Sequence, residues 1–183
     1  MVAPSARGRR KKFRVVLADP PWPFRDGLPG PGRGAASHYR TLSIADLCAY
    51  PLPPLEVDCT LFLWRVAAMQ QEALEVMAAW GFVPKTEVVW VKRTATGQRW
   101  FGMGRTVRAE HEVCLIGTRG RPVTRDRSVR STFEAAAGVH SRKPDCFYGV
   151  IEALRQGPYV ELFARRPWPG WTSLGAQLPD EEA

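Results

Sequence analysis

The sequence predicts an α/β fold with a mainly parallel central sheet flanked by helices, and three observations predict it. Short, continuous apolar runs recur along the chain, the kind that is buried on both faces of a parallel sheet. Between them lie segments whose apolar residues recur at helical spacing. No internal repeat and no linker divides the 183 residues, so residues 13–183 read as a single domain behind a basic, flexible arm at residues 1–12.

The elements follow in order. Phe13 to Ala18 is an apolar strand, and residues 23–40, rich in Gly, Pro and Arg, form a loop. Ser43 opens a short helix, with Asp46 three residues on as in a capping box. Cys59 to Trp64 is a second buried strand. Val66, Met69, Ala73, Met77 and Trp80 form a helical core stripe that Gly81 ends. Glu87 to Val91 and Val113 to Ile116 read as strands, and residues 118–141 as a long Arg-rich loop. Pro144 and Asp145 start a helix whose apolar face carries Phe147, Ile151 and Leu154, and Gly157-Pro158 ends it. Tyr159 to Phe163 is the last expected strand, and residues 164–183 are expected to be irregular.

The formal net charge is +8 and the pI about 9.8, a balance that favours a polyanionic partner such as nucleic acid. The four cysteines, Cys48, Cys59, Cys114 and Cys146, form no CxxC pair. They read as reduced thiols of a cytoplasmic protein, with no structural zinc or other metal site. No secretory h-region and no run of 18 apolar residues is present, so neither a signal peptide nor a membrane span is expected.

In open α/β sheets, ligands bind outside the carboxyl ends of the strands. Those ends here carry Asp19-Pro20-Pro21-Trp22, Trp64-Arg65, Lys92-Arg93 and Arg165-Arg166. Neither GxGxxG nor GxxxxGK[ST] occurs. The first group suits an adenine whose exocyclic amine is to be methylated. That amine is conjugated into its ring and needs hydrogen-bond acceptors to turn its lone pair outward. An ionised Asp19 only accepts, Pro20 offers a carbonyl without a competing N–H, and Pro21 stiffens the loop. Trp22 supplies a stacking face. Read alone, the same four residues are equally a strand end followed by a rigid turn.

Seven segments together resemble the S-adenosylmethionine-dependent adenine-N6 methyltransferases typified by the catalytic subunit of the mRNA adenosine methyltransferase, a family with many short bacterial and phage members. They are 18–22 (ADPPW), 60–64 (TLFLW), 87–92 (EVVWVK), 111–117 (HEVCLIG), 140–145 (HSRKPD), 160–165 (VELFAR) and 171–177 (WTSLGAQ). The resemblance implies a permuted Rossmann-like methyltransferase fold with S-adenosylmethionine as cofactor. It implies that Asp19 and Pro20 hold the target amine, with Asp19 also facing the cofactor ammonium, and that Trp22 packs on the base. Lys143 then lies near the cofactor carboxylate and the substrate, Arg165 at the cofactor ribose, and Gln177 near the cofactor adenine. Tyr39 and Glu112 line the substrate adenosine, with His38 beside Tyr39, and Arg108 is a further candidate substrate contact; the plainer alternative for Glu112 is an ion pair with Arg108. Ala164, Trp168 and Ala176 depart from the residues usual in relatives, and a weakened cofactor site is the expected consequence.

Arg119, Arg121, Arg125, Arg127 and Arg130 are the candidates for gripping a nucleic-acid backbone. DNA is the favoured partner and RNA the alternative. A homodimer, or a heterodimer with a related subunit, is compatible with the family, as is a catalytically silent nucleic-acid-binding subunit.

Overall fold

The computed structural model describes residues 11–24, 41–104, 106–138 and 142–175. His38, Tyr39, Ala176 and Gln177, and nearly all of the basic arm, lie outside them. Among the described residues, seven strands form one sheet: β1 (Phe13–Ala18), β2 (Leu55–Arg65), β3 (Val83–Arg93), β4 (His111–Arg119), β5 (Thr132–Ala136), β6 (Tyr159–Leu162) and β7 (Trp171–Leu174). Their order is β5-β3-β4-β2-β1-β6-β7. Only β4 among them runs against the rest, pairing antiparallel with both β2 and β3. The expected mainly parallel order is therefore present.

The period-2 alternation of each strand builds two cores. Val16 and Ala18 of β1, with Leu61 and Leu63 of β2, face α1 (Ile44–Cys48) and α2 (Gln70–Ala79) through Leu47, Ala73, Val76 and Met77. Val15 and Leu17, with Phe62, Trp64, Val88 and Trp90, face the other way onto Phe147, Tyr148 and Ile151 of α3 (Cys146–Leu154). Each such large side chain, fully buried, contributes about 1.5–3 kcal/mol. The Ser43–Asp46 capping box forms as expected, and α2, preceded by a 3-10 turn at Ala67–Met69, ends where Gly81 takes a φ of +79°.

Two expected irregular regions contain strands. Within 118–141, β4 continues to Arg119 and β5 occupies Thr132–Ala136; within 164–183, β7 occupies Trp171–Leu174. Both β5 and β7 are short outer strands with alternating or partial burial, so neither carries the apolar run that marks an inner strand. Phe163 lies outside β6, with a φ of +60°, and the next residue's N–H, that of Ala164, donates to the Leu174 carbonyl of β7 at 3.0 Å.

Register decides which residues meet. Ala18 pairs with Leu63, Trp64 with Cys114, and Trp90 with Glu112. Asp19, Trp64, Lys92 and Glu112 therefore share one edge of the sheet, where six strands end and the reversed β4 begins.

Candidate active site

The loop after β1 is held by its own backbone. Proline cannot continue a ladder, so pairing stops after Ala18. The Trp22 N–H donates to the Pro20 carbonyl at 2.8 Å, and the Leu42 N–H donates to the Pro21 carbonyl at 3.0 Å. The Pro20 oxygen keeps its second lone pair.

Trp22 does not offer a stacking face. It is 4% exposed, belongs to the core on the α1–α2 side, and donates its indole N–H to the Trp64 carbonyl at 2.9 Å. The expectation of a base-packing Trp22 is thus corrected: the indole nails the loop after β1 to the end of β2. Burying an aromatic body while satisfying its one polar atom is the stable arrangement for tryptophan.

Beside it runs a row of alternating charges. Lys92 Nζ lies 2.6 Å from Glu112 Oε1, Lys143 Nζ lies 3.2 Å from Glu112 Oε2, and the same Nζ lies 2.8 Å from Asp19 Oδ2. All four side chains are mostly buried, between 18% and 23% exposed. Each lysine also lies over an indole, Lys143 over Trp64 at 5.4 Å and Lys92 over Trp90 at 5.1 Å, and the two indoles meet edge to face. Burial pushes the Glu112 carboxyl up, but the ammonium groups of Lys143 and then Lys92 outweigh it and hold it below its usual range. Burial pulls Lys143 down, and Asp19 followed by Glu112 more than reverses that, so its ammonium is held charged. Glu112 thus pairs with Lys92 and Lys143 rather than with Arg108, whose guanidinium lies 4.7 Å over the Phe101 ring.

Next to the row, a cleft is lined by Leu17, Asp19, Trp64, Lys143, Glu161 and Arg165, with Phe147 and Tyr148 of α3 in its wall. The Tyr148 hydroxyl donates to Glu161 Oε2 at 2.8 Å. Burial raises the Glu161 carboxyl, against the lowering effect of that hydrogen bond. Trp168, at a position where relatives are expected to place a polar group, stacks on Tyr148 with centroids 4.2 Å apart and planes at 7°. Arg166 lies over Trp168 and bonds Asp145. The Trp64 indole N–H is buried without a partner among the described residues. Two carboxylates beside a lysine and an arginine supply acceptors for an ammonium and for hydroxyls, and donors for a carboxylate. That donor set fits the amino-acid and ribose parts of the expected cofactor.

Of the residues expected from sequence, Asp19, Glu112, Lys143 and Arg165 come together here, with Pro20 and Pro21 forming the adjoining loop. The loop arginines do not join them. Because β4 is reversed, Arg119 ends it at the opposite edge of the sheet, and Arg121, Arg125 and Arg127 follow from there. The Arg121 N–H bonds Asp58, and Arg125 bonds the Glu152 carbonyl of α3. Arg130 leads into β5, the outer strand. Sequence reasoning placed Lys92 at the ligand-binding edge without a partner, and assigned no role to Tyr148 or Glu161. The signal for Lys92 was its place at the end of β3; the reversal of β4, which brings Glu112 to it, left none.

The MT-A70 family profile matches residues 13–177. The N(6)-adenosine-methyltransferase catalytic subunit METTL3 of Homo sapiens is 35% identical over 174 residues, covering 91% of this chain and 28% of its own length. The N(6)-adenosine-methyltransferase MT-A70-like protein of Drosophila melanogaster is 35% identical over 174 residues, covering 91% and 27%. The type II methyltransferase M.MunI of Mycoplasma sp is 29% identical over 197 residues, covering 94% and 81%. The chain thus spans about a quarter of the length of the N(6)-adenosine-methyltransferases it matches.

Proposed function

Because the chain belongs to the MT-A70 family, we propose that it is an S-adenosylmethionine-dependent methyltransferase of the exocyclic N6 amine of adenine in nucleic acid, with DNA as first substrate and a single domain over residues 13–183. The observation that carries the reading is the carboxylate of Asp19, fixed at the end of β1 by a proline pair and by Lys143 at 2.8 Å. S-adenosylmethionine, when bound, supplies an already activated sulfonium methyl, so the protein's contribution is alignment and hydrogen bonding.

Asp19 Oδ atoms accept from the target N6–H and take the proton the amine loses. The Pro20 carbonyl is the second acceptor. Lys143 and Arg165 hold the anionic and ribose ends of the cofactor, and Glu161, steadied by Tyr148, accepts from hydroxyls. Within a duplex the adenine is flipped out first, at a cost of a few kcal/mol. The preference for DNA rests on the mutual coverage with the type II methyltransferase; the N(6)-adenosine-methyltransferases make RNA the second reading.

The test is methyl transfer from labelled S-adenosylmethionine to matched DNA and RNA, single- and double-stranded, with the product nucleoside identified. N6-methyladenine in the DNA pools supports the reading, the same product confined to RNA replaces the substrate, and no transfer to any pool overturns it.

A further inference from the structure

We propose that Lys92 is a positioning residue for methyl transfer: acting through Glu112, it sets where Lys143 stands against Asp19. The proposal rests on the reading of Asp19 as the group that accepts from the target amine.

The geometry is directional. The two Glu112 oxygens are divided between two cations, Oε1 to Lys92 at 2.6 Å and Oε2 to Lys143 at 3.2 Å. A carboxylate held at both oxygens has a fixed plane, so Oε2 presents one lone-pair direction to Lys143. Lys143 then sits between two acids, with its closer contact to Asp19. With Lys92 gone, the Glu112 carboxylate is free to turn and take Lys143 with both oxygens. Lys143 is then drawn toward β4 and away from Asp19.

Lys92 is itself held in place. Its backbone N–H bonds the Glu110 carbonyl at 2.8 Å, its carbonyl accepts from Trp100, and its ammonium lies over the Trp90 ring. The row also explains how Asp19 can turn to a substrate amine. Lys143 keeps a carboxylate partner when it lends Asp19 away, because Lys92 has kept Glu112 aimed at it. An ammonium left buried without a partner would be costly.

The other charges around the row do not substitute for Lys92. On β3, Arg93 is paired with Glu134; before α3, Arg142 is paired with Asp145. On β4, His111 is exposed, and burial holds the Cys114 thiol protonated. On β6, Glu161 takes the Tyr148 hydroxyl.

Lys92→Met and Lys92→Arg are compared with the wild type in two measurements. In steady-state transfer, Lys92→Met is expected to lower kcat by roughly 10- to 100-fold, the scale of a slightly misplaced catalytic group, with a smaller rise in KM for the donor, whose anionic end Lys143 also holds. Lys92→Arg, which keeps the charge, is expected to recover most of the loss. In carboxyl-carbon NMR of the full chain, the Glu112 midpoint is expected to rise in Lys92→Met, the Asp19 chemical shift at one fixed neutral pH to change as Lys143 moves off it, and both to return in Lys92→Arg. An unchanged kcat in Lys92→Met overturns the proposal, as does a loss of kcat with the Asp19 chemical shift at that fixed pH unmoved. Should Lys92→Met not fold, Lys92→Gln is read in its place against the same two signals. If the wild type itself transfers no methyl group, the reading of Asp19 fails, whereas the Asp19 chemical shift at fixed pH still reports whether Lys92 governs Lys143.

Discussion

Both edges of the sheet hold partly buried cations, but they satisfy them differently. At the carboxyl edge, Lys92 and Lys143 are neutralised by Glu112 and Asp19. At the opposite edge, Arg155 is met mainly by neutral groups: Nε donates to Thr60 Oγ1 at 2.8 Å, and Nη1 donates to Thr124 Oγ1 at 2.6 Å and to the Leu154 carbonyl at 3.2 Å. Burial lowers the Arg155 pKa, whereas the carboxylates raise that of Lys143 despite burial. An arginine held by fixed hydroxyls and carbonyls is a rivet: any movement leaves its partners unpaired. A lysine shared by two carboxylates can shift weight from one to the other at small cost, which is what a site must do when a ligand claims one of the acids.

The largest expected effect falls on the carboxyl edge. Asp19→Ala is expected to reduce methyl transfer at least about 100-fold, the scale of losing one preorganised hydrogen-bonding group in a site. Its melting temperature should change little, because Trp22, not Asp19, ties the loop to the Trp64 carbonyl. Retained transfer at near wild-type rate would remove the proposed role of Asp19. A collapse in melting temperature would make this edge structural, and the contrast with Arg155 would vanish.

Arg155→Met should do the reverse. It leaves the fully buried Thr60 hydroxyl and the Thr124 hydroxyl without their donor, costing about 1–3 kcal/mol for the first group alone. Chemical denaturation measures the loss. The folded variant should transfer methyl groups at the wild-type kcat, since Arg155 meets β2 at Thr60, four residues back along the strand from Trp64. A stable variant with impaired transfer would show that the two edges are coupled.

These contrasts mark how far the sequence could be read. The apolar runs of β1, β2 and β4 and the stripe of α2 were legible because burial on both faces, or on one helical face, leaves a periodic trace. Thr132–Ala136 and Trp171–Leu174 left none, since outer strands alternate with polar residues. Asp19 and Lys143 were legible through motif resemblance. The union of Lys92 with Glu112 was not, because it depends on the direction of β4, and a strand's apolar pattern reads the same in both directions. The same reversal sends Arg119 to the far edge. Trp22 was misread because an indole flanking an acid looks alike whether it faces a ligand or the core; the partner of its N–H, the Trp64 carbonyl, lies 42 residues away.

A smaller effect appears in the pH dependence of stability. Glu112 has a folded pKa below its ordinary value of 4.5, so its contribution is present above that value and is lost as pH falls through the folded one. Lys143 has a folded pKa above 10.5, so its contribution is present below that value and is lost as pH rises through the folded one. Urea midpoints should therefore fall at both extremes, and Glu112→Gln should shallow the acid limb. An acid limb unchanged in Glu112→Gln would mean that the row adds nothing to folding. Arg155, with its pKa lowered but its charge kept at all working pH, should leave both limbs as they are.

The smallest effect is expected where the sequence alone pointed to the largest cluster of positive charge. Arg119, Arg121 and Arg127 stand at or beyond the end of β4 that faces away from Asp19, and the backbone between them is tied down by Asp58 and by the Leu154 carbonyl of α3. A nucleic acid whose adenine reaches Asp19 meets the carboxyl edge first. Each phosphate that a cation neutralises steepens the dependence of log K on log salt by roughly 0.9 for B-DNA. Replacing these three arginines together by glutamine, with Arg125 left to hold α3, should therefore change the slope by less than the value for one contact, roughly 0.9. A fall of two or more such steps would mean that the duplex wraps around the sheet to the rivet edge, and the two edges would then share one binding surface despite their different chemistry.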